Sequence, residues 1–509
     1  MKGKWIAAFV LAAALAGLGH GAGAAPKGKV TLGMGGDVTT FDPHVFSSLP
    51  ISFHHPNVFD NLLRRTPDAK LEPHLAQSYK LVDSKLWEFK LREGIKFSNG
   101  EPLDAEAVKF SFERIADPNL KSAQYAYFKS VTRVEVVDRH TVRFHLKTPD
   151  FELPGFLGNY GFIVPPAYYK KHSPEELARN PVGSGPYKVV RWRKGEEIIY
   201  QANPNYWRAG EPRIKDVTVK FIPEATTRVA ALLSGDVDMI DNLPPGFADR
   251  IKASPNHALV ADIAPRANYV GMVIKEGAPW GDPRVRMALN YAVDKQSIIK
   301  NVLGGFAKEI AVLQGPGSFG FNPGLKPFPY DPEKAKQLLA EAGFPNGFST
   351  DLYIPHGRFL LGKEVVEAIA GQWEKIGVKA NVKAVEWGSM VKTIQGRWNP
   401  NVNPFMYFLA RMDTSFSAEG MYAGPILSRS IYGGYRDEAL DKTIEDARSI
   451  TDEEQREKAF FEINRVLREE KVPLVFLYQN FEIFARHKKV TWTPRIDAKL
   501  MAYEVGLKE

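Results

Sequence analysis

The sequence predicts an α/β protein of several domains in which helices cover mostly parallel β-sheets. Short strand patterns and capped helices alternate along most of the chain, and this order is typical of α/β folds. The chain has 509 residues, more than one hydrophobic core normally organises, so we expect about three domains. Its residues are 44% hydrophobic and 25% charged, a balance that indicates a globular protein and excludes a disordered chain.

The first 25 residues predict export from the cell. Lys2 and Lys4 precede an apolar run from Trp5 to Leu18, and Ala22-Gly23-Ala24 is a small-residue cleavage site. This order is that of a Sec-type signal peptide, and the apolar run is shorter than a standard transmembrane span. The chain has no cysteine, which excludes disulfides, thiolate chemistry and a lipid-modified N-terminal cysteine. We therefore expect a mature protein that is free in a bacterial periplasm and is not a lipoprotein.

The first half of the mature chain carries short strand and helix patterns. Residues 87–91 and 142–146 alternate apolar and polar side chains, as half-buried strands do. Between them, Asp104 is placed to cap a helix that runs through Arg114. The patterns that follow are a strand at 217–221, a helix from about 224 to 234 that stops at Gly235, and a strand at 238–240.

The second half is punctuated by stronger helix boundaries. Asp282 and Asp331 each stand before a proline, so each is expected to cap a helix whose first position is that proline. Thr451 and Glu454 have the spacing of a capping box ahead of a long helix to Glu470. The other predicted features are a helix stop at Gly343, a helix at about 363–375, a strand at 378–382 and a buried strand at 472–484.

Catalytic and metal-binding motifs are weak in this sequence. There is no Gly-x-Ser-x-Gly elbow, and the Ser-x-x-Lys tetrads at Ser297 and Ser389 lack Ser-Asp-Asn and Lys-Thr-Gly companions. His54 and His55 are adjacent, and neighbouring side chains rarely converge on one metal ion. The formal charge of +8 is modest for this length and does not indicate a nucleic-acid partner. We expect no catalytic residue, no metal site and no cofactor.

Several long blocks resemble one family of transport proteins. They are LAQSY at 75–79, WEFKLREGIKFSNGEPLDAEAVKFSFERI at 87–115, PVGSGPYKVVRWRKGEEI at 181–198, NPNYW at 203–207, LLSGDVDMI at 232–240, DPRVRMALNYAVDK at 282–295, YDPEKAKQLLAEAGFPNG at 330–347 and GGYRDEALDKTIEDA at 433–447. In this order they are similar to the bacterial ABC-transporter solute-binding proteins of family 5, the dipeptide-, oligopeptide- and nickel-binding periplasmic proteins. In the second of the family's signatures, Gly183 and Gly185 are expected to serve turns and not to contact ligand.

The resemblance implies a two-lobed periplasmic-binding-protein fold, of type II and cluster C-like, with an extra inserted subdomain. The implied division is a signal peptide at 1–25, a lobe I core from 26–56, 181–270 and 479–509, an inserted subdomain at 57–180 within lobe I, and lobe II at 271–478. Ligand is expected in the cleft between the lobes. A ligand that contacts both lobes stabilises the closed state, and the membrane permease recognises that state.

The best ligand-binding candidate is Arg358, in a Gly-Arg-Phe element similar to a Gly-Arg-Tyr element of many relatives. Its guanidinium is suited to clamping a ligand carboxylate with two parallel hydrogen bonds. Phe359 replaces the usual tyrosine, so no hydroxyl contact is expected there. Trp387 matches a recurrent family tryptophan and could form an apolar cleft wall. The alternatives are a solvent-exposed or ion-paired Arg358 and a Trp387 that packs in the core.

A second set of candidates lies in two loops. Asp413 stands where peptide-binding relatives carry an acidic residue that pairs with the ligand's α-amine, although a loop cap or an ion pair is an equal alternative. Arg411 is an unexpected residue beside it and could favour a ligand with a second acidic group. The resemblance also assigns Phe46, Ser47 and Ser48 to a loop that borders the ligand in relatives.

We therefore expect a non-enzymatic periplasmic receptor of an ABC importer. It is predicted to be a monomer, to capture a di- or oligopeptide or a peptide-like acid, and to deliver it to the inner-membrane permease. Within the same family the alternatives are an opine, a sugar derivative, glutathione or a nickel chelate. From another class, a secreted hydrolase is the alternative, although no constellation of nucleophile, metal or paired carboxylates supports it.

Overall fold

The computed structural model describes residues 25–45, 53–356, 358–359, 361–412, 417–422, 425–428, 430 and 432–508. The strands, numbered in chain order, are β1 Lys29–Met34, β2 Leu63–Arg65, β3 Leu71–Pro73, β4 Ala76–Asp83, β5 Leu86–Leu91, β6 Val131–Asp138, β7 Thr141–Leu146, β8 Tyr187–Arg193, β9 Glu197–Ala202, β10 Asp216–Phe221, β11 Met239–Ile240, β12 His257–Met272, β13 Ala307–Glu309, β14 Phe348–Pro355, β15 Val378–Val385, β16 Met406–Met412, β17 Leu474–His487, β18 Val490–Thr491 and β19 Gly506–Leu507.

The α-helices are numbered in the same way. They are α1 Ala105–Ala116, α2 Tyr125–Phe128, α3 Leu153–Leu157, α4 Pro166–Lys171, α5 Pro174–Arg179, α6 Ala225–Ser234, α7 Ala248–Ala253, α8 Pro283–Tyr291, α9 Lys295–Asn301, α10 Pro332–Glu341, α11 Gly362–Glu374, α12 Trp387–Gln395, α13 Ala418–Tyr422, α14 Glu438–Arg448 and α15 Glu453–Val466. Within the described ranges, none of these helices is long and apolar enough to cross a membrane.

One large mixed sheet organises the molecule. Across the described strands its order is β15-β14-β16-β12-β17-β11-β1-β10-β9-β8, with β13 paired to β17. We call the end that contains β1 and β8–β11 lobe I, and the end that contains β13–β16 lobe II. The prediction of mostly parallel sheets is wrong. β1 pairs in parallel with β10 and β11, and β14 with β15 and β16, but the long central strands β12 and β17 are antiparallel to each other and to their neighbours.

The two long strands cross from lobe I to lobe II side by side. Residues 257–263 of β12 pair with 481–487 of β17, and residues 267–271 pair with 474–479. The register breaks between Ile263 and Ala267, where Pro265 has no N–H to donate to the ladder. Beside the break, the Arg266 guanidinium lies 3.3 Å from the Glu482 carboxylate of the facing strand. Two strands thus join the lobes, and the hydrogen-bond pairing between them is interrupted at residues 264–266 of β12.

The sheet of lobe II is covered on both faces. Met406 and Phe408 of β16 pack into a core with α8 and α11, whereas Tyr407 and Leu409 pack into a second core with α12, α14 and α15. This alternation is the two-residue period of a strand that is buried on both sides. Lobe I has its own core around β1, β9 and β10, to which Trp492 near the C-terminus contributes.

A third unit is attached to lobe I. Its sheet, as far as the structure describes it, has the antiparallel order β4-β5-β7-β6, and α1 packs on it. The core of this unit is formed by side chains from Leu62 to Ile163. We call this unit the inserted subdomain.

Most of the predicted helix boundaries are confirmed, because the caps are local. The carboxylates of Asp104, Asp282 and Asp331 each accept a hydrogen bond from a first-turn backbone N–H. The capping box at Thr451 is wrong. Asp452 caps α15 instead, accepting from Gln455 N, and the α-helix ends at Val466 before a π-helical turn, Leu467–Lys471.

The glycines of the 181–198 block allow two chain segments to touch. A Cβ on Gly183 would collide with the carbonyl oxygen of Val58, and one on Gly185 would collide with the same peptide group. Ser184 between them is buried and donates its hydroxyl to Asp60 at 2.9 Å. This serine is part of a buried hydrogen-bond network that joins the two segments.

Candidate functional site

Three parallel strands of lobe II end together at one edge of the sheet. Pro355 at the end of β14 is level with Val385 at the end of β15, and Tyr353 of β14 is level with Tyr407 of β16. The loop after β14, the start of α12 and the last residues of β16 therefore meet at this edge. In open α/β sheets the crevice outside the carboxyl ends of the strands is the usual place for a ligand.

Arg358 stands at this edge with its side chain exposed. Its guanidinium carbon lies 3.9 Å from the centre of the Trp387 ring, close enough for a cation–π contact. The structure therefore brings together two of the predicted site residues, Arg358 and Trp387. Stacking on the indole leaves the edge of the guanidinium plane available for hydrogen bonds.

Phe359 points the opposite way and anchors the loop. It is half-buried, and its ring meets Phe408 of β16 edge-on, with the centroids 5.4 Å apart. It also packs against both cores of lobe II. The packing of Phe359 against these two cores holds the loop that carries Arg358.

Trp387 is the first residue of α12 and is half-buried. The Glu386 side chain caps the helix by accepting from Ser389 N at 3.0 Å, and backbone hydrogen bonds from Gly388 and Ser389 lower the pKa of this carboxyl. The indole stacks near Tyr432, with centroids 6.2 Å apart and planes 25° from parallel. Trp387 therefore has a packing role and also forms the platform under Arg358.

Arg411 lies near the end of β16, opposite Ala267 of β12. Its Nε donates to the carbonyl oxygen of Gly420 at 2.6 Å, which fixes the side chain direction. The burial of Tyr269 raises the pKa of its hydroxyl, and the nearby positive charge of Arg411 partly opposes that rise. Four other predicted contacts, Asp413, Phe46, Ser47 and Ser48, lie outside the described residues.

A large cleft separates lobe II from the inserted subdomain. Its volume is about 1110 Å³, and its walls include Tyr125, Lys129 and Lys147 from the subdomain and Arg411 and Glu445 from lobe II. The cleft adjoins the carboxyl edge of β16, because Arg411 lies at that edge and also in the cleft wall. Local sequence patterns could not reveal it, since its two walls are nearly three hundred residues apart in the chain.

Two contacts bridge this cleft at its side. Arg448 of α14 lies 3.6 Å from the Glu152 carboxylate, and the Arg456 guanidinium of α15 lies 4.9 Å from the centre of the Phe151 ring. Glu152 and Phe151 immediately precede α3 of the subdomain. We call these four residues the bridge.

The corresponding edge of lobe I carries a buried ion pair. The Asp241 carboxylate lies 3.2 Å from Arg228 Nε and accepts from Gly35 N at 3.0 Å. Burial raises the pKa of Asp241 to about 6, against the opposing effect of Arg228. Arg228 also donates to the backbone carbonyls of Ile222 and Asn242, so it holds together the chain turns at this edge.

His54 and His55 belong to the core of lobe I. His54 Nδ1 lies 2.9 Å from the Tyr200 hydroxyl, and His55 Nε2 lies 3.0 Å from the Thr40 carbonyl oxygen. Burial lowers the pKa of His54 to about 3 and that of His55 to about 4. Among the residues with described positions, no group of three or more metal-ligating side chains is arranged around a common point.

Comparison with known proteins agrees with this architecture. The family model described as bacterial extracellular solute-binding proteins, family 5 Middle, matches residues 70–420. The glutathione-binding protein GsiB of Escherichia coli strain K12 is 30% identical over 381 residues, which are 74% of this chain and 74% of GsiB.

Solved structures show the same fold over nearly the whole chain. AgaA of A. tumefaciens R10, in complex with agropinic acid, is 27% identical with a TM-score of 0.77, and the match covers 95% of this chain and 99% of AgaA. DppA of Helicobacter pylori, in complex with the peptide STSA, is 25% identical with a TM-score of 0.77, covering 95% and 98%. The two-lobed periplasmic-binding-protein fold is therefore confirmed. The chain belongs to the bacterial extracellular solute-binding proteins of family 5.

Proposed function

We propose that this protein captures a di- or oligopeptide, or a peptide-like acid, at the carboxyl edge of β14–β16 and delivers it to an ABC permease. The observation that carries the proposal is the exposed Arg358 guanidinium, stacked on Trp387 at the shared strand ends. A guanidinium placed over the face of an indole keeps paired donors that match a carboxylate. Family members bind peptides, glutathione, nickel chelates and an opine acid, and most of these ligands carry a carboxylate.

The interlobe hinge is part of the same proposal. The division into lobe I at 26–56, 181–270 and 479–509, an inserted subdomain at 57–180 and lobe II at 271–478 is supported by the two-strand crossing. The ladder break at Ala264–Arg266 is the natural place for the lobes to rotate. Within the subdomain segment the separate core ends near Ile163, and Tyr169 packs with lobe I, so the return to lobe I begins before residue 180.

The cellular setting follows from the family and the N-terminus. Family 5 proteins are extracellular solute-binding proteins of bacteria. The signal-peptide pattern at residues 1–25 and the absence of cysteine support a protein that is free in the periplasm, and the proposed receptor is a monomer. No chemical step is required of such a receptor, because the ligand leaves unchanged.

Glutathione is a second candidate ligand of the same site. It is a tripeptide with two carboxylates, and the relative GsiB is a glutathione-binding protein. Arg411 at the end of β16 supports this candidate, since it supplies a second guanidinium at the same edge as Arg358. An opine acid is compatible with the same pair of arginines.

The proposal is tested by ligand screening of protein stripped by unfolding and refolding. Thermal-shift measurements against peptides, glutathione, opines, oligosaccharides and nickel–histidine should show a rise for peptides or glutathione. Calorimetry with the best peptide should then show an affinity loss of roughly 10- to 100-fold for Arg358→Ala, as for a charged hydrogen-bonded pair.

Arg436→Ala is the matched control. Arg436 is also exposed, and its guanidinium carbon lies 4.1 Å from the centre of the Trp398 ring. It stands two residues after Gly434, whose carbonyl oxygen accepts a hydrogen bond from Ile274 N at the opposite end of the strands. Its loss should change the affinity less than twofold. A thermal shift with oligosaccharides alone, or equal affinities for wild type and Arg358→Ala, would contradict the proposal.

A further inference from the structure

We propose that the cleft between lobe II and the inserted subdomain is a second subsite, which receives an anionic group on the far part of the ligand. The inference rests on the proposed function, because it extends the same ligand beyond the carboxyl edge of β16. Arg411 is the link, since it lies at that edge and also in the wall of the cleft.

The cleft is large enough for more than a dipeptide. Its volume of about 1110 Å³ is at or above the upper end of ordinary small-molecule sites, which is about 1,000 Å³. One wall offers an apolar surface: Tyr125 is 50% exposed, and Tyr127 beside it is fixed by stacking on Tyr160 at 4.1 Å. A rigid aromatic wall of this kind accepts the apolar body of an extended ligand.

The carboxylates of the cleft are engaged or solvated. Asp150 is buried and accepts from Ser130 Oγ at 2.6 Å and from Glu152 N at 3.1 Å. Asp446 lies 2.7 Å from the Lys442 ammonium, and Glu445 is exposed to solvent.

Lys129 and Lys147, on the same subdomain wall as Tyr125 and Tyr127, have exposed side chains. Lys129 and Lys147 lie on adjoining segments, because Lys147 N donates to the Ser130 carbonyl at 2.7 Å. Within the described parts of the chain, neither ammonium has an ion-pair or hydrogen-bond partner. Two exposed ammoniums on the same wall as the tyrosines, with the Arg411 guanidinium on the lobe II wall, favour a carboxylate or a phosphate in the cleft.

A competition experiment tests the subsite. Full-length mature protein, stripped of ligand, is mixed with equimolar tetrapeptides that carry Gln or Glu at each position, and the bound species are counted by native mass spectrometry. At one position the Glu peptide should be enriched over the Gln peptide about fivefold, the effect of one or two solvent-accessible ion pairs. The double variant Lys129→Gln/Lys147→Gln should bring that ratio within twofold of unity while total peptide binding persists.

Lys85→Gln/Lys90→Gln is the control for net charge. Both lysines are exposed on the subdomain, outside the cleft lining, so the Glu enrichment should survive their loss. Peptide binding without any Glu preference, or a preference that survives in Lys129→Gln/Lys147→Gln, would overturn the subsite and leave the proposed function standing. Failure of every peptide to bind would overturn the proposed function and the subsite with it.

Discussion

Replacing Glu152 by Gln should weaken the bridge between the inserted subdomain and lobe II and lower the affinity for ligand. The carboxylate lies 3.6 Å from Arg448, and the two side chains are only 12% and 20% exposed. At this spacing the direct attraction is about 4.6 kcal/mol for an effective dielectric of 20, and desolvation offsets much of it. Contacts across the cleft favour the arrangement in which the subdomain and lobe II are held together, so we expect the closed state to lose about 1.5 kcal/mol, about a tenfold change in the open–closed equilibrium.

The assay is calorimetric titration with the best peptide from the ligand screen. Because the apparent dissociation constant is the intrinsic one divided by the closed fraction, Glu152→Gln should raise it by up to about tenfold. The control is Lys458→Gln, which removes an exposed pair with Glu454 on α15 and should have no measurable effect. Equal dissociation constants for wild type and Glu152→Gln would refute the argument that the bridge stabilises closure.

Two further predictions concern the stability of lobe I. Burial lowers the pKa values of His44, His54 and His55 to about 4, 3 and 4, so each is neutral in the folded protein. Because the unfolded chain binds protons at these histidines below about pH 6.5, their contribution to the free energy of unfolding is full above that pH and is lost as the pH falls below it. Between pH 8 and pH 5 each histidine should lower the free energy of unfolding by about 2 kcal/mol, and the raised pKa of Asp241 should restore about 1 kcal/mol. The free energy of unfolding measured in urea should therefore be about 5 kcal/mol lower at pH 5 than at pH 8. Equal values at the two pH values would contradict this prediction. Gly183→Ala should lower the free energy of unfolding by at least about 2 kcal/mol, because the new Cβ meets the Val58 backbone. The control Gly246→Ala should have little effect, because its Cβ would meet open space. A wild-type unfolding midpoint for Gly183→Ala would disprove the steric argument.

Local features of the fold could be predicted from the sequence because their causes are local. A carboxylate before a helix start fixes the first turn wherever that helix packs, as Asp104 and Asp331 show. Gly235, with φ near 86°, ends α6 for the same kind of reason. At Thr451 two capping residues are adjacent, and the prediction chose the wrong one because Asp452 occupies the N-cap in the folded chain.

The sheet topology and the cleft could not be predicted in this way. β12 contains Pro265, which argues against a central strand, yet the proline lies in the break of the β12–β17 ladder at Ala264–Arg266. Its partner β17 is more than two hundred residues away, and the two strands impose the antiparallel centre of the sheet. The residues that line the cleft come from segments with no shared pattern, so their proximity follows only from the folded arrangement.

Some residues of the site could likewise be predicted from the sequence, and others could not. The stack of Arg358 on Trp387 joins two residues that the family resemblance had marked separately, and the parallel register of β14 and β15 explains why they meet. The bridge residues Glu152 and Arg448 carry no sequence pattern that distinguishes them from surface charges. Their importance depends on the approach of the subdomain to lobe II.

Ligand-driven closure is the central claim, and small-angle X-ray scattering tests it most directly. The radius of gyration of the stripped mature protein is measured alone and then saturated with the best peptide. Rotation of the lobes about the ladder break at Ala264–Arg266 should lower the radius of gyration on saturation, and Arg358→Ala should need a higher peptide concentration for the same change. An unchanged radius of gyration in protein that calorimetry shows to be saturated would contradict the account.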